Sequence, residues 1–151
     1  MTSLKYAHVE RERRWLLDGP PPLPGDARQV RIVDRYVTGT RLRLRETTEV
    51  DGTVIRKLGH KVRIGEGARA VAHTSLYLDD AEWDLLVTLP ARTLTKTRTL
   101  VPLGAGHVAV DVHTDGAVVA EIDGDGELPG DWPVVREVTD EEAFTGAALA
   151  R

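Results

Sequence analysis

The sequence predicts a mainly β protein (α+β), built as an eight-stranded antiparallel β-barrel with two or more short helices. Short segments with alternating apolar and polar residues recur along the chain, as in strands whose two faces meet different surroundings. Tight-turn signals such as Asp51-Gly52 separate these segments, which makes consecutive strands antiparallel neighbours. The 151 residues, 41% of them hydrophobic, are enough for one globular domain, which we expect to span residues 1–151.

The predicted strands follow one another through short connections. They cover residues 7–17, 28–37, 40–49, 53–64, 69–78, 92–102, 106–113 and 116–123. Glycine-containing segments at 104–106 and 114–116 predict two further hairpin turns. The Pro- and Gly-rich segment 18–25 predicts an exposed loop.

Two capping patterns predict the helices. Asp79 followed by Glu82 has the spacing of a capping box before a helix over residues 80–87. Thr139 followed by Glu142 repeats that spacing before a C-terminal helix that ends near Ala150.

The composition limits the classes of function. A formal net charge of −4 gives no sign of nucleic acid or a membrane surface as partner. No apolar run approaches the roughly 20 residues that span a bilayer, and residues 1–10 lack the apolar core of a signal peptide. The chain has no cysteine, which excludes disulfides and cysteine nucleophiles and suits a cytoplasmic protein. The sequence leaves a homodimer open.

Charged residues are segregated by strand and by face, because residues two apart in a strand share a face. Bases share one face of three strands, as Arg41, Arg43 and Arg45, as Lys57, Lys61 and Arg63, and as Lys96 and Arg98. Acids share one face of three others, as Glu10 and Glu12 (followed by Arg14), as Asp111, and as Glu121 and Asp123.

Rows of like charge repel unless a counter-ion lies between them. The solvated face of an ordinary sheet would explain any single row. A basic wall opposite an acidic corner fits better inside an eight-stranded barrel, which is about the smallest that can hold a small ligand. Arginine and lysine suit phosphate oxygens, and carboxylates suit Mg²⁺ or Mn²⁺. The pattern therefore predicts a polyphosphate bridged by a divalent metal ion.

A series of short motifs strengthens this prediction. Glu10-Arg11-Glu12-Arg13-Arg14 is similar to an ExExK signature. The motifs that follow in order are Arg41-Leu42-Arg43-Leu44-Arg45 (an RLR strand), Lys57 and Lys61 (tunnel lysines), Lys96-Thr97-Arg98 (KTR), Val110-Asp111-Val112 (DVF), Ala120-Glu121-Ile122-Asp123 (ExE) and Glu137-Val138-Thr139 (EVT). In this order, over nearly the whole chain, they resemble the CYTH domain or triphosphate tunnel metalloenzyme family.

The chain also departs from the family pattern. Arg14 stands where the signature has lysine, and Asp123 is one methylene shorter than the glutamate of the late motif. His113 replaces an aromatic residue, and the last helix lacks the basic residues expected of one that closes a tunnel. These differences bear on turnover and substrate choice more than on the fold.

The resemblance implies metal-dependent hydrolysis of inorganic triphosphate or of an organic triphosphate. It implies that phosphate is bound by Arg14, Arg43, Arg45, Lys57, Lys61, Lys96 and Arg98, that Mg²⁺ or Mn²⁺ is bound by Glu10, Glu12, Asp111, Glu121 and Asp123, and that catalysis rests on Glu10, Glu12, Arg14, Lys96 and Arg98. Two alternatives remain open. A class IV adenylate cyclase-like activity needs a base pocket at the tunnel mouth, and a non-catalytic polyphosphate or nucleotide sensor needs the basic wall without turnover.

Overall fold

A closed barrel of antiparallel strands forms the body of the protein in a computed structural model that describes residues 4–151. Residues 1–3, the start of the segment tested for a signal peptide, lie outside the described part. The strands are β1 (His8–Leu17), β2 (Arg28–Val37), β3 (Leu42–Glu49), β4 (Val54–Arg63), β5 (Ala70–Tyr77), β6 (Ala91–Leu103), β7 (Gly106–His113), β8 (Val118–Asp123) and β9 (Val134–Glu137). Around the barrel the order is β1-β5-β4-β3-β2-β6-β7-β8, and β8 pairs again with β1. The predicted eight-stranded antiparallel barrel is confirmed.

The predicted hairpin turns join β3 to β4, β6 to β7 and β7 to β8. Gly52 closes the first turn with φ of +88°, a conformation that a residue with a Cβ rarely adopts. The side chain of Asp51 accepts a hydrogen bond from the Thr53 amide at 2.9 Å and so stabilises the same turn.

The ninth strand, β9, is one that the sequence analysis missed. It pairs with the second half of β1, for example Trp15 with Glu137, beyond the point where β1 has left β5. The chain continues beside β1 after β9, because the amide of Arg14 donates to the Thr139 hydroxyl at 3.0 Å. β9 and Thr139 therefore cover the edge of β1 that β5 leaves free.

Two apolar clusters pack on the outside of the barrel, while its inner face carries the charged groups together with a few apolar residues such as Ile32 and Val119. One cluster covers β1 and β6–β8 and consists of Trp15, Leu17, Val101, Val108, Val110, Val118, Ala120, Ile122 and Trp132. A second cluster consists of Val37, Leu44 and Trp83, and it packs α1 (Asp80–Leu86) on the wall. Burial of this outer apolar surface supplies the main stabilisation of the fold.

The structure confirms one of the two helices that the sequence predicts. The capping box of α1 is confirmed, since Asp79 accepts from the Glu82 amide and Glu82 accepts from the Asp79 amide, both at 2.8 Å. The helix predicted to start at Thr139 is wrong, because the hydroxyl of Thr139 bonds β1 instead. A 3₁₀ turn (Glu142–Phe144) and the short helix α2 (Gly146–Leu149) replace it. Within residues 4–151, no helix has the length and apolar character to cross a bilayer.

Candidate functional site

The inside of the barrel contains a polar cavity of about 150 Å³. It is lined by Glu10, Glu12, Arg14, Tyr36, Arg43, Arg45, Lys61, His73, Lys96, Arg98, Glu121 and Gly146. A second cavity of about 240 Å³ shares several of these residues and extends to residues 145–147 at α2. The two form one tunnel, which becomes more apolar towards α2, where Leu42, Val71 and Ala147 line it.

Asp34 holds one part of the basic wall from behind. It is fully buried and accepts two hydrogen bonds from Arg45, both at 2.7 Å, while Nε of Arg43 lies 3.8 Å from its Oδ1. Burial alone would raise the pKa of Asp34, but the positive charges of Arg45 and Arg43 outweigh it and hold that pKa well below its usual range. The ionised carboxylate therefore fixes the guanidinium group of Arg45 by two hydrogen bonds and attracts that of Arg43 by its charge.

Asp111 holds the other part in the same way. Its carboxylate accepts from Lys96 Nζ at 2.7 Å and from Nε and Nη2 of Arg98 at 2.7 and 2.8 Å. Burial opposes its ionisation, but Lys96 and Arg98 keep the pKa of Asp111 well below its usual range. Because Asp111 is 1% exposed and does not line the cavity, this geometry does not favour the metal role that the resemblance implies.

The acidic residues that line the cavity come from β1 and β8. Glu121 lies on β8, next to β1. Its negative charge is the main cause that raises the pKa of Glu12, and burial is the second. Glu10 behaves differently, because its Oε1 lies 2.8 Å from His73 Nδ1 and its Oε2 lies 3.4 Å from Lys61 Nζ. Burial opposes ionisation of Glu10, but these partners lower its pKa to about 2.

The acidic side has the donor chemistry for a hard divalent cation. Within residues 4–151, no three Asp, Glu or His side chains are gathered closely enough to enclose an ion by themselves. Mg²⁺ is usually held in proteins by one or two carboxylates together with phosphate oxygens and waters. A cation beside Glu12 and Glu121 would offset the repulsion that raises the pKa of Glu12. These carboxylates therefore fit Mg²⁺ or Mn²⁺.

Several buried nitrogen atoms of the lining residues have no hydrogen-bond partner in the described part of the chain. They are Nε of Arg14, Nε of Arg43 and Nε2 of His73. Nη2 of Arg14, by contrast, donates to the carbonyl oxygens of Ala68 at 3.2 Å and Thr139 at 2.9 Å, which fixes this guanidinium group. Buried donors without partners are costly, and no described residue offsets that cost at these atoms.

The structure brings most of the predicted site residues together. In addition to Asp111, the exceptions are Lys57 and Asp123, neither of which lines the cavity. The Lys57 ammonium lies 4.8 Å from the centroid of the Tyr77 ring. Their predicted roles stay predictions that this geometry does not favour.

Three residues of the site, Asp34, Tyr36 and His73, are not predicted by the sequence pattern. Asp34 and Tyr36 lie two residues apart on the same face of β2, and the register of β2 and β3 pairs them with Arg45 and Arg43. His73 could be found only from the register of β4 and β5, which places it opposite Lys61.

Comparison with known proteins supports the fold. No family model matches the chain, and no curated protein matches its sequence. Solved structures with this architecture include that of the hypothetical protein NE1496, with a TM-score of 0.61 and 23% identity over 93% of this chain and 97% of that chain.

A second crystal structure, of the inorganic triphosphatase NE1496, has a TM-score of 0.59 and 22% identity over 93% of this chain and 96% of that chain. The PH1012 protein from Pyrococcus horikoshii OT3 is more distant, with a TM-score of 0.53 and 12% identity over 80% of each chain. At these identities the similarity establishes the fold that the motifs predict.

Proposed function

We propose that the protein hydrolyses a triphosphate compound inside the barrel, with Mg²⁺ or Mn²⁺ as cofactor. The observation that carries the proposal is a single cavity lined by six arginine and lysine side chains together with Glu10, Glu12 and Glu121, where Nη2 of Arg98 donates to Glu121 at 3.1 Å. Phosphoryl transfer needs mainly positioning of the phosphates and neutralisation of their charge, and this arrangement supplies groups for both. Similarity to the inorganic triphosphatase NE1496 supports the same class of reaction.

The basic wall would bind the phosphate oxygens. Guanidinium groups bind phosphate through parallel hydrogen bonds, and those of Arg45 and Arg98 are already oriented by buried aspartates. Arg43, Lys61 and Lys96 line the same cavity and would add further contacts. Because these side chains are held before a ligand arrives, little ordering cost remains for binding.

The acidic side would hold the metal ion. Glu12 and Glu121 are the main candidates, with Glu10 beside them. The ion, when bound, would neutralise phosphate charge and activate a water molecule. Asp111 would act from behind the wall, by keeping Lys96 and Arg98 in place.

A non-catalytic sensor is the second candidate, and Arg14 favours it. A lysine at this position could lose a proton, whereas the guanidinium of Arg14 stays protonated and is bound to two backbone carbonyl groups. A sensor would bind triphosphate on the same wall without releasing phosphate. A cyclase-like activity would instead convert ATP to a cyclic nucleotide and pyrophosphate.

A screen for phosphate release distinguishes these functions. Inorganic triphosphate, thiamine triphosphate, ATP and longer polyphosphate are each incubated with Mg²⁺, Mn²⁺ or Ca²⁺. We expect metal-dependent release from at least one substrate, and its loss on chelation. Tight binding with no release under any metal would establish the sensor, and a cyclic product from ATP would establish the cyclase.

The Glu12→Gln variant tests the metal site independently. Removing a charge that Glu121 repels should raise the stability of the metal-free protein by about 0.5–2 kcal/mol, the usual gain from relieving an unfavourable surface or site contact. The same change should weaken stabilisation by Mn²⁺ and slow phosphate release. Glu66→Gln, at an exposed loop position, is the matched control and should change neither property. Unaltered Mn²⁺ stabilisation in Glu12→Gln would contradict the assignment.

A further inference from the structure

His73 and Glu10 form a pair that the motifs do not contain. They come from β5 and β1, which meet where the barrel closes, and His73 lies directly opposite Lys61 on β4. The distance from His73 Nδ1 to Glu10 Oε1 is 2.8 Å, and the second carboxylate oxygen lies 3.4 Å from Lys61 Nζ. Each oxygen of Glu10 therefore has its own partner, and the two contacts together define the plane of the carboxylate.

The glycine at position 59 makes room for this pair. A Cβ at Gly59 would lie 2.9 Å from His73 Nε2, closer than Cβ atoms are found to other heavy atoms. The same Cβ would lie 3.5 Å from Nη2 of Arg43, an ordinary contact distance. The imidazole ring thus rests on the bare backbone of β4, where its neighbours Lys57 and Lys61 carry long side chains on the same face.

The position of Nε2 decides what His73 can do. Nε2 is buried and has no hydrogen-bond partner among the described residues, so a water in the cavity has no path to it. His73 is therefore not placed to accept a proton from an attacking water. Its bonded nitrogen is Nδ1, and what Nδ1 holds is the carboxylate of Glu10, two residues from Glu12.

We propose that His73, seated over Gly59, is a positioning residue that orients the Glu10 carboxylate in the tunnel. This inference rests on the proposed function of the cavity. It goes beyond that function by giving a role to His73, which binds neither phosphate nor metal in the proposal. Groups that hydrogen-bond a ligating carboxylate typically contribute 10–100-fold to metal affinity or activity.

Two substitutions at position 73 separate positioning from packing. His73→Leu keeps much of the ring volume and removes the donor, so Mn²⁺ affinity and kcat should both fall by roughly 10–100-fold. The side-chain amide of asparagine reaches about as far as Nδ1, so His73→Asn should restore most of both properties. Triphosphate binding without metal, which depends on the arginines and lysines, should change little in either variant.

A steric test uses the glycine. Gly59→Ala places a methyl group against Nε2 and should reproduce the defect of His73→Leu. In the double variant Gly59→Ala/His73→Asn, no atom remains at the Nε2 position, so Mn²⁺ affinity should recover. His60→Leu, on the outer face beside Gly59, is the control and should behave as wild type. Circular dichroism and thermal melting verify that each variant is folded.

The outcomes keep the two proposals apart. A wild-type protein that releases no phosphate under any metal ends the proposed hydrolysis, and Mn²⁺ affinity then still tests His73. A wild type that hydrolyses triphosphate while His73→Leu matches it in Mn²⁺ affinity and kcat ends this inference alone. Equal losses in His73→Leu and His73→Asn would also overturn it, because the ring and not its Nδ1 donor would then matter.

Discussion

Asp34 shows how a single buried acid supports the phosphate wall. Its carboxylate is enclosed among Arg45, Arg43 and the barrel wall, and it has no exposed surface. Asp34→Asn keeps the shape and removes the charge, which leaves buried guanidinium groups without a counter-charge. The free energy of unfolding should fall by about 3–5 kcal/mol, the usual cost of removing one partner of a buried ion pair. Urea unfolding measures this, with exposed Asp26→Asn as control, and equal losses in the two variants would contradict it.

The same residue predicts how stability depends on pH. The pKa of Asp34 is lower in the folded protein than in the unfolded chain, so the unfolded state takes up its proton first on acidification. Its contribution is complete above the ordinary aspartate pKa of about 4 and is lost as the pH falls further. The urea midpoint of the wild type should therefore fall between about pH 5 and pH 2. Asp34→Asn should show a shallower fall over that range, and parallel curves would refute this account.

Alternation along the strands predicted which side of each strand carries the site. Arg43, Arg45, Lys96 and Arg98 line the cavity as their spacing predicts. The partners of these residues were not predictable in the same way, because a partner is set by register between strands. Asp111 illustrates this, because it lies opposite Arg98 on the neighbouring strand. From there its carboxylate accepts hydrogen bonds from both Lys96 and Arg98.

At the scale of elements, α2 is seated tightly against the tunnel. A Cβ at Gly146 would lie 2.1 Å from the hydroxyl oxygen of Tyr36, so the first turn of this helix accepts only glycine in its present position. Gly146→Ala should displace α2 and lower the free energy of unfolding by about 1–3 kcal/mol, the usual cost of overpacking. Faster amide exchange confined to residues 142–151 would locate the change.

Tyr36→Phe provides the matched test, because it removes the oxygen that the new methyl group meets. Gly146→Ala should cost markedly less stability in the Tyr36→Phe background than in the wild type. Equal costs in both backgrounds would show that another contact fixes α2.

β9 and the C-terminal turn show where prediction of elements failed. All four residues of β9 are exposed, so the strand has no alternating burial to reveal it. Thr139 and Glu142 have the spacing of a capping box, but the hydroxyl of Thr139 is drawn to the Arg14 amide by the pairing with β1. Here a tertiary contact overrode a local pattern, whereas at Asp79 the local pattern forms the capping box that it predicts.

For the whole molecule, the charges inside the barrel nearly cancel. The bases of the cavity are Arg14, Arg43, Arg45, Lys61, Lys96 and Arg98, and the acids in or behind its wall are Glu10, Glu12, Asp34, Asp111 and Glu121. A triphosphate bound alone would make the interior strongly negative, and a divalent cation would offset that excess. Each ligand should therefore tighten binding of the other by roughly 5–150-fold, the usual range of coupling between two sites.

Calorimetry can measure this coupling with a triphosphate analogue that has nitrogen in place of the bridging oxygens. Its Kd is determined with and without Mg²⁺, in the wild type and in a Glu12→Gln/Glu121→Gln variant. The coupling should vanish in the variant, while affinity without metal should hold or improve. A Kd that Mg²⁺ does not alter in the wild type would exclude a shared site.

The position of β1 in the barrel also governs the order in which the chain can fold. β1 is made first, yet its neighbours β5 and β8 lie far along the chain, with pairing to residues 70–73 and 118–123. Hairpins such as β3–β4 and β6–β7 join adjacent segments and form quickly, whereas pairing over long separations is slow. β1 can therefore pair with β5 once residue 73 has been made, but its other edge stays unpaired until residues 118–123 of β8 have been synthesised. Its insertion is the step that encloses the charged groups, so they remain hydrated through every earlier stage, and an unfinished chain avoids desolvating them.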